Sequence, residues 1–491
     1  MTYFTQESGP KLYNDLINIL LSYRLFPYVI STDIKRMYLR ILLKENQRKY
    51  QKVLCRFSPQ EELKTYTLNT VTFGLSCSPY LALRCVKELA TTESKKYPLA
   101  SERVLSDSYM DDICSSVSSE SVAIELQAQL VAMFKTGGFE LSKWASNSSA
   151  LLSRIPDEDK LESCLSWDDS SFKVLGLSWH PVTDTFAYEV NVKSTECTKR
   201  NVLKLTASIF DVLGLLAPVT LYANLLIKHL WQQNIGWDEK PPEHIQNVWR
   251  VFQQELTLLS SLSFRRHIDV FSDSVVTLVG FGDASEKAYA CVIYSVVKSP
   301  QGEVMTNLVC AKSKVSPLKT LSIPRLELCA ARLLSKLIKQ VADTYSPRVK
   351  INKIVCLSDS KVVLDWVRSP YYRWNQFVSN RVAKIQENVG SDSFHHIAGK
   401  ENISDCVSRG MLPSQLVDYP VWTTGPEWLK LPIREWPLDV DTSSIDEEID
   451  REEKKSVFVT VQQERSVLLE LAERHSSWLS LLHAIVMYSD S

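Results

Sequence analysis

Apolar residues recur at helical spacing over residues 11–26 (KLYNDLINILLSYRLF), and a β-rich run, YVISTDI, follows at once. Residues 120–136 repeat the helical pattern, with Ile124, Leu126, Leu130 and Phe134 on one side and Gly137-Gly138 as the stop. From about 171 to 192, KVLGLSWHPVTDTFAYEV alternates as a hairpin does. Residues 198–262 read as helix-rich and hold Trp231, Trp237 and Trp249. The most apolar run, Val212 to Ile227, is broken by Gly214, Pro218, Thr220 and Asn224. It is too short for a membrane span and predicts a buried helical hairpin.

A different pattern starts near residue 275. VVTLVGFGDAS, AYACVIYSVV and TNLVCAKSKV read as three strands. IPRLELCAARLLSKLIKQVADTY reads as a long amphipathic helix with Leu326, Ala330, Leu333, Leu337 and Val341 in register. KIVCLSDSKVVLDWV then reads strand to helix. The order β-β-β-α-β-α predicts a mixed sheet with helices on it. Residues 438–455 are acidic and poor in aromatics, as a linker is, and SVLLELAERHSSWLSLLHAIVMY predicts one or two amphipathic helices.

At 491 residues the chain has room for about three domains. Its 45% hydrophobic content supports cores that need no staples. The net charge of −1 excludes a polyanion binder on overall charge, but the charge is uneven. Asp283 to Gly410 holds 19 Lys+Arg against 11 Asp+Glu, whereas Met411 to Ser491 holds 7 against 15. A basic module therefore precedes an acidic tail. The 11 cysteines form no CxxC pair, which argues against a disulfide framework and a zinc ribbon. MTYFTQESGP lacks the features of a signal peptide, so a cytoplasmic setting is expected, with virus-like particles or the nucleus as other places. There the sequons at Asn147 and Asn402 carry no meaning.

Two sets of acids stand in or beside apolar elements. In the first, Asp111 and Asp112 adjoin in SYMDDICSSV, and Asp33 ends YVIST. Carboxylates this close raise each other's pKa unless a cation joins them. Mg²⁺ takes one or two carboxylates plus substrate phosphates, the chemistry of nucleotidyl transfer. Tyr38, five residues after Asp33, is placed to crowd the sugar of an incoming nucleotide. Taken alone, Y-x-D-D is short enough to arise by chance.

The second set is Asp283 (GFGDAS), Glu327 (PRLELCA), Asp359 (CLSDSK) and Asp405 (ENISDCVSRG), all inside the basic module. Buried acids without partners are costly, and two hard cations shared among the four would give them a reason to be there. Ser285 and Ser360 read as local hydrogen-bonding residues, because no base with triad-like context is near. Trp366 and Trp374 have two readings, a face for nucleic acid or core packing, with core favoured for at least one. His475 and His483 lack the CxxC that a zinc module would need.

The order of the motifs resembles reverse transcriptases. STDIKRMYLRI looks like the first palm motif, VTFGLSCSPYLA like the motif supporting template and nucleotide, and YMDD like the metal hairpin of retroelement polymerases. GGFELSKWASN and KVLGLSW look like the two that follow. The resemblance is closest to the BEL/Pao class of long-terminal-repeat retrotransposon polyproteins, whose helical segment after the palm is similar to the stretch from Thr198. It implies Asp33 and Asp111 as main metal ligands, Asp112 completing the triad, Tyr38 as the gate against a 2′-OH and Gly74 as backbone near the nucleotide. Lys143 matches a basic residue that helps protonate leaving pyrophosphate; its other reading is a solvated lysine. Phe73 stands where many retroviral enzymes carry Gln.

The second set resembles type 1 ribonuclease H: D-A-S on the first strand, E on the first helix, D-S on the fourth strand, and a late D within N-x-x-D-x-x-S-R. Hydrolysis of RNA in an RNA–DNA hybrid is implied, with recognition of hybrid width and 2′-OH groups rather than of sequence. His396, nine residues before Asp405, is either an aid to product release or a surface histidine beside His395. The stretch from Trp422 resembles the linker towards an integrase that this sequence does not reach.

The expected architecture is an α+β palm with a helical thumb or connection, followed by an α/β ribonuclease H-like mixed sheet. Its divisions are palm with partial fingers 1–192, thumb or connection 193–272, ribonuclease H-like domain 273–412, and linker with acidic and helical tail 413–491. The expected cofactor is Mg²⁺ or Mn²⁺, two per active site. The expected partners are RNA template, DNA primer, RNA–DNA hybrid and deoxynucleotides, with other polyprotein products and no membrane. Only 32 residues precede Asp33, so few fingers are expected and polymerase activity is the less secure of the two. The rival expectation is a catalytically inactive remnant that binds nucleic acid or protein, and a second is a ribonuclease H with the palm as scaffold.

Overall fold

Strand β1 (Tyr28–Ile34) lies at the centre of the first sheet, between β5 (Asp112–Val117) and β6 (Leu141–Ser146), with short β4 (Ser108–Tyr109) beyond β5. All these pairings are antiparallel. Helix Leu16–Leu25 leads into β1, its N-terminus capped by the Asp15 carboxylate, which accepts from the Ile17 N–H at 2.9 Å. Helices Ser78–Thr92, Pro98–Asp107 and Glu120–Thr136 cover one face of the sheet. The last of these has the bounds its apolar spacing predicts, and Leu126, Leu130 and Phe134 are fully buried. A separate hairpin pairs β2 (Lys52–Cys55) with β3 (Lys64–Thr67). The structure is a computed structural model and describes residues 9–161, 172–190, 195–271, 273–439, 451–454, 474 and 477–489.

The predicted hairpin is present as β8 (Leu177–His180) and β9 (Thr185–Ala187), flanked by β7 (Phe172–Val174). The strand that completes this sheet, β10 (Ser263–Arg265), arrives only after the helices Lys199–Ser208, Ala217–Gln232 and Glu243–Glu255. The helical hairpin expected over Val212–Ile227 is not formed. Residues before Ala217 make a turn, because Gly214 adopts φ +72° and a Cβ there would lie 1.9 Å from the Ala311 carbonyl oxygen. The Asp211 carboxylate accepts the Leu215 and Leu216 N–H groups at 2.8 Å each, and one straight helix starts at Ala217.

The third sheet runs β13 (Val304–Val315), β12 (Ala288–Lys298), β11 (Val275–Ala284), β14 (Ile351–Ser358), β15 (Phe394–Ile397) and β16 (Leu438–Asp439). Strands β11 to β13 are antiparallel neighbours, and β14 and β15 continue in parallel from β11. The long helix Ile323–Tyr345 buries the five residues of its predicted stripe. It seats close to the sheet because β11 offers Gly280 and Gly282 beneath it; a Cβ on Gly280 would meet Leu334 Cδ1 at 2.3 Å. Residues 413–439 pack on this sheet: the Trp422 indole donates to the Leu215 carbonyl at 2.7 Å, and the Tyr294 hydroxyl donates to the Trp422 carbonyl at 2.8 Å. Most of the acidic stretch 438–455 lies outside the described residues.

Two buried arginines join these parts. Arg24 donates to the carbonyls of Arg265 (2.9 Å), Arg266 (3.1 Å) and Val309 (2.5 Å). Arg266 donates to the carbonyls of Tyr23 (2.5 Å), Phe26 (2.9 Å) and Pro27 (2.8 Å), and both nitrogens of its fork reach the Asp184 carboxylate. Buried Asp107, on the helix before the β4–β5 hairpin, is paired with Arg348 and accepts the Ser115 hydroxyl at 2.6 Å. Residues 1–452 form one unit and 453–491 a second, in which helix Trp478–Ser489 is described. No described helix is long and apolar enough to cross a membrane.

Candidate active sites

The first site is built by a turn and a bulge. Tyr109 pairs with Asp112, leaving Met110 and Asp111 as a two-residue hairpin turn with Met110 at φ +56°. That left-handed position suits glycine, so methionine there marks a turn held by its surroundings. The Ile34 N–H donates to the Asp111 carbonyl at 2.8 Å, which ties the turn to β1. Across β1, Asp33 stands in register with Asp112. Asp33, remote in sequence, thus meets the adjacent Asp111 and Asp112 at one sheet end.

Lys143 reaches them through an irregularity in β6. Ser31 pairs with Ala145 but Asp33 pairs with Ser142, so Lys143 and Trp144 stand opposite Thr32 alone. Such a bulge re-aims a side chain, and Lys143 adopts φ +54° within it. Its Nζ donates to Asp33 Oδ2 at 2.9 Å, which raises the ammonium above its usual pKa. Burial, with Asp111 and Asp33 alongside, pushes the Asp112 carboxyl up to about 6. Tyr38 lies against Phe73 with ring centroids 4.9 Å apart. Burial and the Asp111 charge raise the Tyr38 phenol. Gly74 follows at φ +85°, a conformation few other residues adopt, with open space around it. Lys35, Lys143, Lys160 and Glu158 line a cavity of about 570 Å³ beside the aspartates.

The second site gathers around the end of β11. Asp283 is buried and accepts the Ser408 hydroxyl; burial, then Asp359 and Asp405, push its carboxyl up to about 6. Asp359, just past β14, is raised by burial, while its backbone, Asn402 and His396 pull the other way. Asp405 opens helix Ser404–Arg409 and is held by Arg409 Nε at 2.5 Å. Glu327 stands half-buried on the neighbouring long helix, one turn before Ala330, whose backbone lies over Gly282. His396 is buried rather than a surface group, and its Nε2 lies 3.1 Å from the Asp359 carbonyl oxygen.

Several residues here were not singled out in the sequence. Asn402, dismissed there as an idle sequon, is 3% exposed and donates to the Gly282 carbonyl at 3.1 Å and to Asp359 Oδ1 at 3.2 Å. Its signal was its place at the head of the N-x-x-D-x-x-S-R segment, which also carries Ser408 and Arg409. Ser285 donates to the Ser408 carbonyl at 2.8 Å, and Ser360 caps the helix that follows Asp359. Trp366 and Trp374 are both in the core, so neither faces a ligand. His475 lies outside the described residues.

Among the described residues, no three His, Cys, Asp or Glu side chains are already gathered at metal-ligand spacing. The donor chemistry nevertheless fits a hard divalent cation. Each set offers carboxylate oxygens, and in each burial and neighbouring carboxylates push one member's carboxyl up to about 6, a penalty that a bound cation would relieve.

No curated protein matches the chain. The fold is similar to that of the foamy viral protease-reverse transcriptase. In its complex with double-stranded DNA the identity is 13% and the TM-score 0.49, over 80% of this chain and 60% of that one. In its complex with an RNA/DNA hybrid the values are 15% and 0.47, over 79% and 46%. The present chain thus spans 60% of the length of the first of these. The family model for reverse transcriptase (RNA-dependent DNA polymerase) matches residues 17–178, and that for the Pao retrotransposon-like RNaseH-like domain matches residues 198–360. Between them the two matches take in β1, the β4–β5 hairpin, β11 and β14, so the first carboxylate set lies in the stretch similar to reverse transcriptases, and β11 and β14 in the stretch similar to the Pao retrotransposon-like RNaseH-like domain.

Proposed function

We propose that the chain carries out RNA-directed DNA synthesis at Asp33, Asp111 and Asp112, and hydrolyses RNA in RNA–DNA hybrids at Asp283, Glu327, Asp359 and Asp405. Residues 1–192 act as palm, 193–272 as thumb or connection, 273–412 as the ribonuclease H-like domain, and 413–491 as the linker and tail. The observation that carries this reading is the register of Asp33 with Asp112 at the turn that presents Asp111.

The two families depend in general on divalent metal. The two carboxylate sets would hold Mg²⁺ or Mn²⁺, two per site, and the metal when bound supplies charge to stabilise the attacking and leaving oxygens. The chain's own residues do the rest. Tyr38, braced by the Phe73 ring, sets the floor under the sugar and excludes a 2′-OH. Gly74 keeps backbone open beside the nucleotide. The lysine-lined cavity accommodates the phosphates, and Lys143 holds a proton close to where pyrophosphate leaves. In the second site Ser408 and Asn402 orient Asp283 and Asp359, and His396 stands behind Asp359 to help product depart.

The test is an RNA template annealed to a DNA primer, each strand labelled, incubated with Mg²⁺ and deoxynucleotides. Primer extension should vanish in Asp111→Asn alone, and RNA cleavage in Asp283→Asn alone. Neither strand changing under any divalent metal would overturn the reading.

A further inference from the structure

A positive cavity lies beside the second carboxylate set. It measures about 500 Å³ and is lined by Lys228, His229, His244, Lys287 and Arg409, with Glu286 as the one acid. Four elements build it: helix Ala217–Gln232, helix Glu243–Glu255, the turn between β11 and β12, and the end of helix Ser404–Arg409. The His229 and His244 rings both line it, set edge to face with centroids 6.5 Å apart. Lys228 is held in place by donating to the Ser316 carbonyl at 3.0 Å and hydroxyl at 2.8 Å.

The cavity is fixed to the carboxylates by backbone. The Met411 N–H donates to the Pro218 carbonyl at 3.1 Å. Gly410 lets the chain pass so close that a Cβ there would stand 3.2 Å from the Tyr222 nitrogen. Arg409 therefore belongs to both places: it lines the cavity and pairs with Asp405. One turn beyond Lys228 on the same helix, Trp231 sits in edge contact with Trp237, at 51% and 46% exposure, and the Lys199 ammonium lies 4.5 Å over the Trp231 ring.

We propose that this cavity binds a phosphodiester of the nucleic-acid strand lying in the second carboxylate site. The cations match a phosphate, the shared Arg409 sets it one helical turn from Asp405, and the exposed indoles offer faces on which bases stack. A free phosphate ion offers similar anionic oxygens but has no use for the indoles. The inference rests on the hydrolytic role proposed above and extends it to a surface supplied by the helical segment.

The test uses the full chain with two exposed cavity residues changed, His244→Ala with Lys287→Ala, beside Lys298→Ala at the far end of β12 as a charge control. Binding of a labelled RNA–DNA hybrid is followed by anisotropy in Ca²⁺ across a salt series, and cleavage in Mg²⁺. The double variant should bind the hybrid about tenfold more weakly, with a salt slope lower by about one per lost contact. Its KM should rise about tenfold, with kcat held within about twofold, and the control should match wild type. Wild-type cleavage with unchanged binding in the double variant overturns the cavity assignment and leaves the hydrolytic reading intact. No wild-type cleavage, with binding still weakened by the variant, overturns the hydrolytic reading and leaves the cavity as a strand site. Displacement of the hybrid by millimolar inorganic phosphate at constant ionic strength, lost in the double variant, would mark a free-phosphate site and also overturn the assignment.

Discussion

Lys143 Nζ donates to Asp33 Oδ2 across 2.9 Å, and the two meet only because β6 bulges opposite Thr32. The contact holds a proton donor among carboxylates without blocking the hairpin turn. Lys143→Ala should lower the single-turnover rate of primer extension about a hundredfold, with little change in nucleotide KM. Lys143→Arg should keep part of the rate. Rapid-quench kinetics checks this, and a change confined to thermal stability would show a structural role alone.

Asp112 gives a stability test with a definite sign. Its carboxyl titrates near 6 in the folded chain, against an ordinary value of 3.8. The folded state therefore holds this proton more tightly than the unfolded one, and the stability it lends at low pH is lost as pH rises through about 6. Asp112→Asn should be more stable than wild type by about 2 kcal/mol at pH 7.5 in EDTA, and no different near pH 3.5. Urea midpoints at the two pH values would read this, and primer extension should be lost in the same variant.

Arg266 ties three carbonyls and the Asp184 carboxylate together in the interior. Arg266→Ala should destabilise by about 4 kcal/mol, since it strands a carboxylate and several acceptors. Arg266→Lys should rescue little, because an ammonium lacks the fork. Polymerase and hybrid-cleaving activities should fall in parallel during thermal inactivation. Loss of one with retention of the other would contradict the joint.

Gly280 and Gly214 separate two kinds of crowding. Gly280→Val should destabilise by about 2 kcal/mol, because its side chain meets Leu334, and adding Leu334→Ala should restore part of the loss. Gly214→Ala should find no such rescue, because the obstacle is the Ala311 backbone. Denaturant unfolding of the three variants, with Leu334→Ala alone as reference, would settle it.

What could be read in advance follows distance along the chain. Helix Glu120–Thr136, the long helix Ile323–Tyr345 and strands β11 to β14 each carry their own period, so local sequence reveals them. The aspartates were visible because acids that end apolar strands need a reason. Lys143 kept two readings of equal weight, proton donor and solvated lysine, because its aim depends on a register shift between β1 and β6. Asn402 and Ser408 were hidden for a similar reason: their partners lie on β11 and after β14, over forty residues away. The turn at Gly214 was misread as a helical hairpin because the strand edge it abuts, at Ala311, is remote in sequence.

The exchange of hydrogen bonds between Arg24 and Arg266 has a bearing on how such a chain changes over generations. Arg24 enters with the first helix and finds its acceptors at residues 265, 266 and 309; Arg266 finds its own at residues 23, 26 and 27. Each half finishes the interior of the other. A lineage that no longer needed one chemistry could not simply discard that half, and damage to either would be inherited by both.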